Sequence, residues 1–186
     1  MPKADIQSVY VTVRHYVLFQ KFFFELISLP MFHIIDDEEF VREVIVEFLE
    51  VDGHKVISFG SPTEYIKFIN GTDFQKPIAV FTDVNMPEMN GYLLINEVSK
   101  LVSGMKFVVM TGEAEIRSEH ANKACMFLTK PFVIDNVRKV VGRLIRCHAS
   151  SPADEQGCAS VDNREVFPIE NWSCPHACND FSSESS

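Results

Sequence analysis

The sequence predicts an α/β domain, a parallel β-sheet covered by helices on both faces. Three observations carry that prediction. From Met31 onward, short apolar runs of strand length alternate with longer stretches whose apolar residues recur at helical spacing. The alternation repeats five times, as expected where each strand is joined to the next parallel strand by a helix. Polar residues that break the apolar pattern fall where strands end, the edge at which such sheets bind ligands.

The elements follow in order. Phe32–Ile35 reads as a buried strand that stops at Asp36-Asp37. Phe40, Val41, Val44, Ile45, Phe48 and Leu49 lie on one helical face, and Gly53 supplies a stop. His54–Phe59 is the second strand. Ser61-Pro62-Thr63-Glu64 then combines a capping serine, a proline in the first turn and a glutamate three residues after the cap, which predicts a helix through Ile69. Asn70-Gly71 closes it. Ile78–Thr82 is the third strand, and Leu94, Ile95, Val98, Leu101 and Val102 form the next helical stripe. Lys106–Met110 is the fourth strand, and a short polar helix is expected over Glu113–Ala121. Cys125–Leu128 is the fifth strand, and Val133, Val137, Val140, Val141, Leu144 and Ile145 mark the last helix.

These elements place one domain at residues 31–148 of a 186-residue chain, within the usual ~100–150 residues of a single domain. Residues 1–30 form an extension, expected to be helical. Its apolar stretch Val9–Leu29 is interrupted by Arg14, His15, Lys21 and Glu25, which suits no membrane span, and no small-residue cleavage site follows. An amphipathic helix packed on a neighbour and one lying on a membrane surface are the two readings. Translation starting at Met31 is a third. Residues 149–186 turn to Ser, Asp, Glu and Cys with little periodicity, which predicts a disordered tail. A net charge of −9 argues against a nonspecific nucleic-acid surface. Five irregularly spaced cysteines fit a reducing, cytoplasmic compartment better than a secreted disulfide scaffold.

The chemistry lies at the strand ends. Asp36 and Asp37 follow strand one, Asp83 ends strand three, Thr111 ends strand four, and Lys130 follows strand five. The topology brings all of them to one edge. Three carboxylates converging in a cleft would repel one another, and a hard divalent cation removes that cost. Carboxylates, a backbone carbonyl and waters suit octahedral Mg²⁺, which also binds phosphate oxygens. With a lysine and a threonine hydroxyl the set fits a phosphoryl group, and a carboxylate there is able to become an aspartyl phosphate.

Four motifs, HIIDDEE at 33–39, TDVNMPEMNG at 82–91, VVMTGE at 108–113 and FLTKPF at 127–132, resemble in order and spacing the receiver domain of two-component response regulators. The resemblance covers residues 31–147. It implies a flavodoxin-like (βα)5 sheet of strand order 2-1-3-4-5. It also implies that Asp83 accepts a phosphoryl group from a sensor histidine kinase or a histidine phosphotransfer protein. Asp36, Asp37, Asp83 and the backbone carbonyl of Asn85 would then hold Mg²⁺, Asp36 through a water. Lys130 would pair with Asp83 and then with the phosphoryl oxygens, and Thr111 would bond the new group. Phe127 stands at the position of the family's switching aromatic, and Lys130-Pro131 at a peptide that is usually cis. Asn85 and Glu113 occupy the positions that tune dephosphorylation, and this pair resembles chemotaxis-type regulators, implying a short-lived phosphoryl group.

Simpler roles stand beside these. Asp36-Asp37 also suits a helix cap, Phe127 a plain core position, and His33 a buried, hydrogen-bonded histidine. Asn90 stands where the family often has Asp, Cys125 and Met126 where it has polar residues, and the stretch from Thr111 to Lys130 is short. In the tail, Cys174, His176 and Cys178 with Cys158 form either a Zn²⁺ site or incidental thiols. The leading expectation is a signalling module without an output domain, acting through protein contacts and not a conventional enzyme. An Mg²⁺-dependent phosphatase or phosphotransferase is the alternative. It normally needs a second acid two residues after the nucleophile, where this chain has Asn85, and a substrate cap. A flavin or nucleotide module would need a glycine-rich phosphate loop after strand one, where this chain has acids.

Overall fold

The computed structural model describes residues 29–112 and 124–150. The expected extension at 1–30 (apart from its last two residues), the short helix at Glu113–Ala121 and the tail from 151 lie outside them; residues 149 and 150, expected to open a disordered tail, instead complete the last helix. Five strands, β1 (Met31–Ile35), β2 (Lys55–Phe59), β3 (Ala79–Asp83), β4 (Phe107–Thr111) and β5 (Met126–Thr129), form one parallel sheet in the order β2-β1-β3-β4-β5. Four described helices connect and cover it: α1 (Glu39–Val51), α2 (Pro62–Ile69), α3 (Gly91–Leu101) and α4 (Ile134–Ser150). This is the doubly wound α/β arrangement the alternation predicts.

Alternate residues of each strand feed opposite layers, as the two-residue period of a strand requires. Phe32, Ile34, Phe81, Val108, Met110 and Leu128 pack with Ile45 and Leu49 of α1 and Val137, Val140 and Leu144 of α4. Ile35, Val80, Val109 and Phe127 pack with Tyr65 and Ile69 of α2 and Leu94, Ile95 and Val98 of α3. Both faces of the inner strands β1, β3 and β4 are therefore covered, which leaves the polar strand ends as the place for chemistry.

Helix boundaries have local causes. Ser61 Oγ accepts the Glu64 N–H at 3.2 Å, with Pro62 first in the helix, as expected. Glu64 Oε2 reaches past the cap to the Gly60 N–H at 3.0 Å. Asn90 caps α3 by accepting the Tyr92 N–H at 2.9 Å. The α1 stripe is narrower than expected. Val41, Ile45, Phe48 and Leu49 span about 100° of the helix and satisfy the sheet. Phe40 and Val44 fall off that stripe, and Phe40 is 77% exposed. Leu101 and Val133 are likewise exposed, although the pattern had placed them on buried faces.

His33 is fully buried on β1, its Nδ1 3.2 Å from the Tyr65 hydroxyl, with the rings of Phe59, Phe68 and Phe74 edge-on around it. Its Nε2 is buried without a hydrogen bond, and burial lowers the imidazole pKa to about 4. It is the buried, hydrogen-bonded histidine expected. No helix among the described residues is long and apolar enough to cross a membrane.

Candidate functional site at the carboxyl edge of the sheet

The register fixes the site before any side chain is considered. β1 and β3 pair from Phe32↔Ala79 to Ile35↔Thr82, so Asp36 and Asp83 leave adjacent strands side by side. β4 and β5 end on the rung Thr111↔Thr129, and the Lys130 N–H continues it by donating to the Thr111 carbonyl at 2.6 Å. The Lys130-Pro131 peptide is cis.

From there Lys130 extends across the edge. Its Nζ lies 2.7 Å from Asp83 Oδ1 and 2.9 Å from Asp36 Oδ2, with Glu38 Oε1 at 3.3 Å. Asp36 is completely buried and Asp83 nearly so. Burial raises the Asp36 pKa above the usual carboxylate range, against the opposing pull of Lys130. Burial would lower the Lys130 pKa, but the carboxylates of Asp83 and Asp36 outweigh it and raise it instead. One ammonium thus holds two buried acids.

The backbone aims each carboxylate. Asp83 Oδ2 accepts the Asn85 N–H at 2.5 Å, and Asp36 Oδ1 accepts the Glu38 N–H at 3.0 Å. The Asp36 N–H donates to the Phe59 carbonyl at 3.2 Å, and Arg42 Nη1 donates to the Asp36 carbonyl at 2.7 Å. Asp36 is therefore clamped from β2 and from α1. Behind Asp83, the Gly91 N–H donates to the Val84 carbonyl at 3.0 Å, which folds the loop back under β3. A Cβ on Gly91 would fall on the Asp83 carbonyl oxygen and press on Thr82 Oγ1, so only glycine allows that approach.

Asp36, Asp83, Thr111 and Lys130 thus come to one edge. Thr111 is buried at the end of β4, and Phe127 points into the core on the rung opposite Val109 with 1% exposure. Asp37 is exposed. Among the described residues no three His, Cys, Asp or Glu side chains are drawn close enough to form a ready metal-ligand set. What the edge does offer a hard cation is Asp36 Oδ2. This buried oxygen lies 2.9 Å from the Lys130 ammonium, which it shares with Asp83 Oδ1 at 2.7 Å, and it accepts no other hydrogen bond among the described residues. An oxygen with an unused lone pair, beside a second carboxylate, suits Mg²⁺. Glu113, Cys158, Cys174, His176 and Cys178 lie outside the described residues.

Sequence reasoning missed two residues here. Glu38 had entered only as part of the motif at 33–39, and its signal was an acid directly after the Asp pair. Arg42 carried only a weak signal, a basic residue in an otherwise acidic first half of α1.

Residues 32–142 match the model of the response regulator receiver domain, and the chain belongs to that family. An uncharacterised response regulatory protein of Vibrio cholerae is 29% identical over 145 residues, covering 73% of this chain and 60% of that protein. The transcriptional regulatory protein FixJ of Azorhizobium caulinodans is 34% identical over 126 residues, covering 62% of this chain and 56% of FixJ. This chain therefore spans a little over half the length of those relatives. Among solved structures, a CheY-like receiver domain protein of Methanospirillum hungatei aligns with a TM-score of 0.58 and 25% identity, over 67% of this chain and all of that one. The response regulator TrrA of Thermotoga maritima aligns at 0.55 and 24% identity, over 62% of this chain and 99% of that one. The chain thus carries a receiver domain of two-component phosphorelay signalling, on the flavodoxin-like fold.

Proposed function

We propose that Asp83 accepts a phosphoryl group from a phosphohistidine on a sensor kinase or a histidine phosphotransfer protein. One Asp83 carboxylate oxygen attacks phosphorus, the P–N bond breaks, and the histidine nitrogen leaves with the electron pair. The observation that carries this is the Lys130 ammonium 2.7 Å from Asp83 Oδ1, a fixed positive charge where phosphoryl oxygens would arrive. The Asn85 amide holds Asp83 Oδ2 and leaves Oδ1 on the Lys130 side.

Asp36, Asp37, Asp83 and the Asn85 carbonyl would hold Mg²⁺, which when bound offsets carboxylate repulsion and binds phosphoryl oxygens. The TrrA structure, a complex with Mg²⁺–BeF, supports that assignment by likeness of fold. Thr111 bonds the arriving group and Phe127 responds as the switching aromatic, a two-state element biased by local charge. Asn85 and Glu113 set a short lifetime. The phosphorylated state is read by a protein partner, in the cytoplasm, and the domain turns over no substrate but its own phosphoryl group.

The test is intact-protein mass spectrometry after incubation with Mg²⁺ and acetyl phosphate or a phosphorylated histidine kinase. A phosphoryl mass gain that is base-labile and absent in Asp83→Asn is expected. A gain that survives in Asp83→Asn, or no gain with either donor, would refute the proposal.

A further inference from the structure

Lys130 has a third anionic neighbour that the phosphoacceptor chemistry leaves unused. Glu38 Oε1 lies 3.3 Å from Nζ, in a contact with hydrogen-bond geometry. The three acids differ sharply in exposure. The Asp36 and Asp83 side chains are 0% and 8% exposed, whereas that of Glu38 is 65% exposed. Glu38 therefore stands on the solvent side of the ammonium, at the mouth of the site. It acts there in two ways. It competes with Asp83 for the Lys130 ammonium, at 3.3 Å against 2.7 Å. It also adds a negative charge to an opening that already holds two carboxylates and one ammonium, through which an anion must enter.

We infer that Glu38 is a charge gate on phosphoryl entry. It hinders free phosphorylated small molecules and favours a donor protein that sets a basic side chain against it. Such a side chain would pair with the Glu38 carboxylate, release Lys130 inward and remove the repulsion in one contact. The inference rests on Asp83 being the phosphoacceptor. With acetyl phosphate the step balances simply: the Asp83 oxygen–phosphorus bond forms, the acyl oxygen–phosphorus bond breaks, and acetate leaves with the electron pair.

The experiment measures the second-order rate of Asp83 labelling by acetyl phosphate at saturating Mg²⁺, in wild type, Glu38→Gln and Glu38→Asp, across ionic strengths. One charge several ångströms from a dianion is worth about threefold to tenfold in low salt. Glu38→Gln is expected to label faster by that factor, with the difference shrinking as the Debye length falls below about 8 Å. Glu38→Asp, which keeps the charge, is expected to stay near wild type. Trilysine, standing in for a basic donor surface, is expected to speed the wild type more than Glu38→Gln. The gate is overturned if Glu38→Gln labels no faster than wild type, or if Glu38→Asp behaves like Glu38→Gln, which would make the effect one of shape. Equal acceleration of both proteins by trilysine overturns the basic-donor part. Failure of wild type and Glu38→Gln alike to label at Asp83, with acetyl phosphate and with a phosphorylated histidine kinase, overturns the phosphoacceptor reading itself, and the gate with it.

Discussion

Replacing His33 with leucine isolates the cost of burying an ionisable ring in an apolar layer. In the folded domain the imidazole is fully buried among Tyr65, Phe59, Phe68 and Phe74, and its pKa falls from 6.5 to about 4. The unfolded chain takes up a proton near 6.5 and the folded domain does not until about 4. The stability that comes from keeping His33 neutral is therefore complete above 6.5 and is lost as pH falls through that window. Each pKa unit is worth 1.36 kcal/mol, so the loss relative to neutral pH is about 2 kcal/mol at pH 5 and about 3 kcal/mol at pH 4. Against a typical domain stability of about 5–15 kcal/mol that is a large share. The assay is urea unfolding of wild type and His33→Leu at pH 7 and pH 5. Leucine also removes the partner of the Tyr65 hydroxyl, an offset common to both pH values, and Asp36 titrates alike in both proteins. The difference in stability between the two proteins should move by about 2 kcal/mol in favour of His33→Leu at pH 5. Parallel pH dependence of the two proteins would refute the reasoning.

Two further outcomes follow from the site. Gly91→Ala should cost about 1–3 kcal/mol in urea unfolding and slow labelling of Asp83, because the new methyl meets backbone that cannot yield without moving Asp83; unchanged stability would show that the loop adapts freely. Asp36→Asn should be more stable than wild type at pH 7 without Mg²⁺, since burial disfavours the charge it removes. It should also lose the stabilisation by Mg²⁺, which in wild type reaches about 1.4 kcal/mol at ten times the dissociation constant. That wild-type stabilisation should weaken as pH falls through the raised Asp36 pKa, where protons compete with the ion. Thermal melts with and without Mg²⁺ measure both, and an equal Mg²⁺ effect in the two proteins would remove Asp36 from the metal site.

Strands were the most legible part of the sequence. Each is a short, mostly apolar run whose ends shift by only a residue or so in the structure, because burial on both faces of the inner strands β1, β3 and β4 leaves few polar positions to blur the pattern. The edge where Asp36, Asp83, Thr111 and Lys130 meet was legible for the same reason: once the strands are parallel, their carboxyl ends must coincide. Helix faces were less so. Periodicity placed Phe40 beside Val41, yet a stripe of about 100° decides which is covered, and one residue of rotation exposes Phe40. Contacts made through space by flexible side chains were illegible. Glu38 is 92 residues from Lys130 in the chain, and nothing local marks their meeting. Arg42 reaches a backbone carbonyl, which leaves no side-chain partner to pattern against.

The rung that ends β4 and β5 bears on how this domain tolerates change. Thr111 and Thr129 are paired, and the Lys130 amide hangs directly on the Thr111 carbonyl. The lysine is therefore located by the pairing of β5 with β4, its neighbour across the sheet. A substitution that loosens the end of β4 would therefore displace Lys130 and its charge beside Asp83 without touching either residue.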